Sequence, residues 1–154
     1  MIILDLVSQG LFSSDMNVLH DGLLLAKLQF STWQEKSSIT GSGRFYTVRK
    51  DGMLSDHFML QEQGQILCDA TMKSLWGRTV ELDHDDVHYL LKWSGWGRRV
   101  NIFREELEFG SVYGKGFFDR DARAELSEEL ALPLETFMLW LAVLGWNRDA
   151  AAAG

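Results

Sequence analysis

Up to residue 126 the apolar and polar positions mostly alternate with the two-residue period of half-buried β-strands. The alternation predicts short strands over residues 2–7, 16–20, 23–29, 37–40, 45–49, 56–61, 65–72, 78–82, 87–93, 98–104, 107–113 and 117–126. Turn signals separate them: Asp21-Gly22, Gly41-Ser42-Gly43, Asp51-Gly52, Gln63-Gly64, the acidic tip Asp83-His84-Asp85-Asp86, and Glu105-Glu106. After Ser127-Glu128-Glu129 the period changes. From Phe137 to Trp146 there is no charge, and the only polar side-chain atoms are the indole nitrogens of Trp140 and Trp146. Pro133 suits a first helical position, Glu135 in the first turn meets the positive end of the helix dipole, and Arg148 has the favourable sign at the other end. A helix over 133–147 that is apolar on every side has to be buried on every side.

The strands repeat. Ala26, Ala70 and Gly114 are small residues spaced by 44, and the aromatics Trp33, Trp76 and Phe118 follow them. The spacing predicts three units of about four strands. Three units are too few for a propeller, which needs at least ~4 blades, whereas a closed sheet removes exposed edges. A barrel of about twelve strands is wider than one filled by its own side chains at ~8, and its interior suits one helix of ~10–12 Å diameter. The expected fold is therefore mainly β: a closed antiparallel barrel around a buried hydrophobic C-terminal helix. It forms one domain over residues 1–148, with 149–154 as a disordered tail.

Composition narrows the classes. A chain of 154 residues at 46% hydrophobic is a globular domain. Net charge −7 disfavours unspecific attraction to nucleic acid or to anionic membranes, and no nucleic-acid partner is expected; a local basic patch is compatible with it. One cysteine, Cys68, excludes an internal disulfide and a cysteine metal cluster, and fits a reducing compartment. MIILDLVSQG does not read as a signal peptide, and no apolar run approaches the ~20 residues of a membrane span. Cytoplasmic residence is the expectation.

The stretches VLHDGLLLAKL, GRFYTVRKDG, HFMLQEQGQILCDA, SLWGRTVEL, VHYLLKWSG, RRVNIFRE and LPLETFMLWLAVLGW together resemble the tubby C-terminal-like superfamily. That superfamily includes tubby domains, phospholipid scramblases and LURP-one-related proteins. In style the chain is similar to small bacterial LURP-one-related or scramblase-like proteins. The resemblance runs from about Met16 to Arg148. It implies a twelve-stranded barrel around a central helix, and carries no catalytic signature.

Candidate chemistry is sparse. His84 and His88 have the spacing of a helical metal pair, but on strand geometry residues four apart lie ~13 Å apart, so no metal site is expected. Cys68 reads as a buried small hydrophobe with no neighbouring base to activate it. Gly41-Ser42-Gly43-Arg44 is a hairpin turn, not a strand-to-helix phosphate loop. Trp33, Trp76, Trp93 and Trp96 recur beside turns, where packing against the central helix is expected. Arg98, Arg99, Arg104 and Arg44 are the candidate ligand-binding residues, within a basic set that also holds Arg49, Lys50, Arg78 and Lys92; guanidinium forks on neighbouring strands can converge on an anion. Tubby domains bind phosphoinositide headgroups through basic residues on the barrel wall, but no headgroup motif of theirs is present here. No catalytic residue and no cofactor are expected. The function expected is a non-enzymatic binding or scaffold domain for an anionic phospholipid headgroup or a protein partner. The alternative is a scramblase-like lipid-moving activity at a membrane surface, against which stand the missing D-x-D-x-D-G calcium loop and the missing spanning segment.

Overall fold

The structure is a computed structural model that describes residues 1–10, 13–31, 36–52, 56–74, 77–95, 97–116 and 120–153, with the backbone alone at position 36. Twelve strands run in chain order: β1 (Ile2–Ser8), β2 (Met16–His20), β3 (Leu23–Gln29), β4 (Lys36–Gly41), β5 (Arg44–Lys50), β6 (His57–Glu62), β7 (Gln65–Lys73), β8 (Thr79–His84), β9 (Val87–Trp93), β10 (Arg99–Arg104), β11 (Leu107–Gly114) and β12 (Ala122–Leu126). Each pairs antiparallel with its chain neighbours, and β1 closes the ring on β12 through Ile2↔Leu126 to Leu6↔Ala122. The expected closed barrel is the observed one. The last strand begins at Ala122 rather than at 117, and residues 117–119 lie outside the described residues.

Antiparallel order sorts the connections onto two ends. At one, the hairpin end, five two-residue turns join β2–β3, β4–β5, β6–β7, β8–β9 and β10–β11. Both residues of each turn have left-handed φ, from Asp21 (52°) and Gly22 (79°) to Glu105 (48°) and Glu106 (70°), the geometry that matches strand twist. The longer connections lie at the other, the loop end.

The ladder corrects the repeat. β-Bulges interrupt β2–β3 after Val18, β6–β7 after Leu60 and β10–β11 after Ile102, so the structural period is 42 residues. The residues opposite those three positions are Ala26, Cys68 and Gly110. The 44-residue spacing of Ala26, Ala70 and Gly114 therefore does not connect equivalent sites. Gly110 is needed as glycine: a Cβ there would collide with the Glu125 carbonyl on β12. The aromatics Trp33, Trp76 and Phe118 of that spacing lie outside the described residues.

Helix α1 (Leu132–Ala153) enters at the hairpin end and leaves at the loop end. Every residue from Pro133 to Val143 is buried. Eleven helical residues rise ~17 Å, about the height of a wall of five- or six-residue strands. Phe137, Leu139, Leu141 and Ala142 are completely enclosed. They pack against the inward side chains of the strands, such as Leu6, Val18, Leu60, Leu82 and Ile102. The helix continues past the expected end at 147 to Ala153, so residues 149–153 are helical where a disordered tail was expected. The run is alanine, the strongest helix former, and Arg78 clamps it by donating to the Gly145 carbonyl and Asp149 Oδ1, both at 2.6 Å. Gly145 lets the helix touch the wall: a Cβ there would overlap the Trp93 indole. Trp93 thus packs on the helix as expected, while Trp33, Trp76 and Trp96 fall outside the described residues.

Glu135 is the exception within the buried stretch. It is 4% exposed, and its carboxylate accepts from the Leu130 backbone N–H at 3.2 Å. Burial, the largest influence, pushes its pKa upward against that hydrogen bond.

Two outcomes follow from this packing. Leu139→Ala is expected to cost ~2–5 kcal/mol in urea unfolding, and Leu24→Ala, on the barrel exterior, to stay within about 0.5 kcal/mol. A carboxyl whose folded pKa is raised favours the fold most at low pH, and loses that contribution as pH rises through the folded value. Glu135→Gln keeps the acceptor and removes the buried charge. Its Tm advantage over the unsubstituted protein is expected to grow from acid to neutral pH; an advantage independent of pH contradicts the buried-carboxylate account.

Candidate functional site

The four arginines singled out from the sequence do not converge. Arg44 sits at the hairpin end, forked onto Glu62 at 2.6 and 2.9 Å and lying over Tyr46. Arg104 is at the same end but across the barrel, bound to Glu128 and stacked on Phe109. Arg98 and Arg99 are at the loop end and diverge. Arg98 lies over Trp146 and donates to the carbonyls of Gly116, Arg120 and Asp121. Arg99 donates to Asn101 and Ser111. Each guanidinium is engaged by protein, because alternate residues of a strand point to opposite faces and the barrel's curvature separates strands that are distant in order.

The structure instead assembles a cleft at the loop end, where α1 leaves the barrel. Its volume is ≈ 400 Å³, within the ~300–1,000 Å³ range of small-molecule sites. Trp140 forms the floor. Its ring stacks on Phe30 with centroids 5.2 Å apart, meets Phe58 edge-on at 5.9 Å, and is pinned by its indole N–H donating to the Gln29 carbonyl at 3.3 Å. Val48 and Leu144 complete the apolar wall, and Ser14, Ser31, Ser37 and Asn147 supply hydroxyls and an amide. Lys50 from the end of β5 and Arg148 from α1 are the charged lining residues; no carboxylate lines the cleft among the described residues. Arg148 lies over Phe58 at 5.5 Å and donates to Asp56 at 3.1 Å. An apolar, aromatic hollow with cations at its lip suits a ligand with a hydrocarbon part and a negative end.

The whole barrel is polarised in the same sense. The hairpin tips carry Asp21, Glu62, Asp85, Asp86, Glu105 and Glu106. The loop end carries Arg49, Lys50, Arg78, Arg98, Arg99, Lys115, Arg120 and Arg148, against Asp15, Asp51, Asp56, Asp121 and Asp149. Among the described residues the loop end is therefore basic, although the net charge of the chain is −7.

The other candidates resolve as structural features. Cys68 points inward, 1% exposed, and burial pushes its thiol up to about 12; at that value it is not a nucleophile at neutral pH. His88 pairs with Asp83 at 2.9 Å, and His84 is 3.7 Å from Asp85. Sequence reading passed over one arrangement: His57 Nε2 meets Asp69 across the β6–β7 ladder, and its Nδ1 lies 3.4 Å from Asp51. The Asp69 hydrogen bond, then that of Asp51, holds the imidazole above its ordinary range. The pairing depends on the bulge between Leu60 and Gln61, which no residue type announces.

No family model, no curated protein and no solved structure matches the chain. No helix among the described residues is long and apolar enough to cross a membrane.

A histidine with a raised folded pKa contributes stability fully below its unfolded pKa and loses it as pH rises through the folded value. The ring resonances of His57 are therefore expected to titrate above the ordinary imidazole range in a two-dimensional NMR pH series. Asp69→Asn is expected to lower the midpoint; a midpoint unchanged by that substitution removes the pairing from the account.

Proposed function

We propose that the protein is a non-catalytic binding module of the tubby-like barrel kind, acting in the cytoplasm, and that its loop-end cleft takes an anionic amphiphile. The hydrocarbon chain lies against Trp140, Phe30 and Leu144, and the anionic head sits between Lys50 and Arg148. The cleft itself carries this reading: an aromatic floor, two cations at the lip and no lining carboxylate among the described residues. The barrel around a threaded helix also supports the likeness to tubby, LURP-one-related and scramblase proteins, since that architecture is what the resemblance implied. A binding role is favoured over an enzymatic one because, among the described residues, the cleft lining brings together hydroxyls, an amide, one lysine and one arginine but no nucleophile–base pair.

Two sources can supply such a ligand, a free amphiphile or a lipid headgroup in a bilayer, and they are separable. Titration with dodecyl phosphate is expected to change the intrinsic tryptophan fluorescence, a change lost in a Trp140→Phe variant, while the uncharged dodecyl maltoside binds more weakly. Lys50→Glu reverses a charge at the lip and Ser37→Trp fills the cleft. Either is expected to weaken dodecyl phosphate by about tenfold or more, equivalent to ~1.4 kcal/mol. Co-sedimentation with phosphatidylglycerol but not phosphatidylcholine vesicles assigns the ligand to a membrane; failure to sediment with either leaves the free amphiphile. Binding of dodecyl phosphate unaffected by both substitutions sinks the cleft as the site.

A further inference from the structure

Aspartate and glutamate fill 22 of the 154 positions, yet the run of strands from β2 to β5 contains neither. Those four strands carry Lys27, Lys36, Arg44, Arg49 and Lys50 instead. No other run of strands in the barrel goes as far without an acid. Arg44 is forked onto Glu62, whereas no ion pair engages Lys27 or Arg49 among the described residues. Both are exposed and face outward, because the inward positions beside them are Ala26, Leu28 and Val48.

The same wall holds a groove with a simple cause. The outward residues Ser38 and Thr40 of β4 are short. They lie between Lys27 and Gln29 on β3 and Phe45 and Thr47 on β5, in the registers Lys27↔Thr40↔Phe45 and Gln29↔Ser38↔Thr47. Neighbouring strands are ~4.8 Å apart, so the flanking rows stand ~10 Å apart with a low row between them. Two hollows result, of ≈ 420 and ≈ 320 Å³, and Phe45 borders both. Its ring is 57% exposed. No carboxylate lines either hollow among the described residues.

The lining selects the occupant. The hydroxyls of Ser38, Thr40 and Thr47 can each donate and accept, which matches a ligand that is itself rich in hydroxyls. Ser38 donates to Gln29 Oε1 at 2.7 Å, so the amide nitrogen of Gln29 keeps its donors for the groove. A phenyl face takes the apolar C–H side of a sugar ring. Lys27 lies level with Phe45, and Arg49 is ~13 Å further along β5, so positive charge stands at both ends of the strip. A peptide laid on β4 finds no free edge, since β4 is paired on both sides over residues 38–40. Single-stranded nucleic acid is held by a series of stacking rings, and Phe30, the other ring at the groove, is already stacked on Trp140. A flat bilayer touches the flanking rows and not the floor between them.

We propose that the outer wall over β3, β4 and β5 binds a linear acidic saccharide, with one sugar face on Phe45, its hydroxyls against Ser38, Thr40 and Thr47, and its acidic substituents at Lys27 and Arg49. The site lies outside the barrel and does not rest on the reading of the loop-end cleft. The test titrates the full chain by isothermal calorimetry with hexasaccharides of polygalacturonate, alginate and chondroitin sulfate, and with neutral maltohexaose. At least one acidic hexasaccharide is expected to bind saturably, about tenfold or more tighter than maltohexaose, and more weakly as salt rises. Phe45→Ala, and separately Lys27→Gln with Arg49→Gln, are each expected to weaken it by about tenfold or more. These side chains are exposed, so near-UV circular dichroism is expected to stay that of the unsubstituted protein. Thr40→Glu puts a carboxylate on the groove floor and is expected to abolish binding. Failure of every acidic hexasaccharide to bind overturns the proposal, and so does binding that Phe45→Ala and Thr40→Glu leave unchanged. Hexaglutamate bound as tightly as the saccharide overturns it too, since it shows bare attraction between opposite charges. Sedimentation with phosphatidylglycerol vesicles that is abolished by Lys27→Gln with Arg49→Gln makes the wall a membrane surface and overturns it as well.

Discussion

A helix with no polar side along its buried length cannot lie on a surface, and the rest of the molecule follows from that constraint. Of the eleven consecutive buried residues of α1 all but Glu135 and Thr136 are apolar, and together they need apolar contacts in every direction. One sheet surface supplies contacts on one side only, and a closed ring supplies them all round. Twelve strands give a bore wide enough for a helix, while fewer would fill with their own side chains. The inward positions of the wall then have to be apolar as well, which is why alternation runs through nearly every strand. Where the Trp93 indole meets the helix, glycine replaces a side chain: Gly145 makes room for it.

Threading also divides the molecule into two unlike ends. Tight turns on one side bring strand termini together in a compact rim, and acidic residues collect there beside exposed leucines. The longer connections surround the helix exit, and the basic residues collect around them. A formal charge of −7 averages these two regions into a figure that describes neither. Electrostatic arguments about partners have to be made for each end separately, since fields from groups more than a Debye length apart, ~8–10 Å in ordinary salt, are largely screened from one another.

The fold was largely legible in the sequence. Turn dipeptides such as Asp21-Gly22 and Gln63-Gly64 fixed strand ends locally, and the absence of any charge from Phe137 to Trp146 announced the buried helix. The repeat was legible in outline but mis-spaced, because Ala26, Ala70 and Gly114 are conspicuous small residues, whereas the true equivalents Ala26, Cys68 and Gly110 differ in type. The candidate site was not legible. Phe30, Lys50, Phe58, Trp140 and Arg148 are brought together by ring closure and threading, and nothing in local spacing connects them. Arg44 and Arg104 drew notice as charges, but a charge says nothing of the carboxylate folded against it, here Glu62 and Glu128.

The pairing of β1 with β12 sets an order of events during synthesis. The first strand of the chain finds its partner only when Ala122–Leu126 has been made, and the helix that fills the bore is made later still. Until then the ring cannot close, and the apolar inward positions of the strands lack the helix that covers them. Contacts spanning so much of the chain are slow to form, because loop closure has to precede their reward. Synthesis therefore delivers the bore-filling helix after all twelve strands, and the nascent strands are the form on which a chaperone would act.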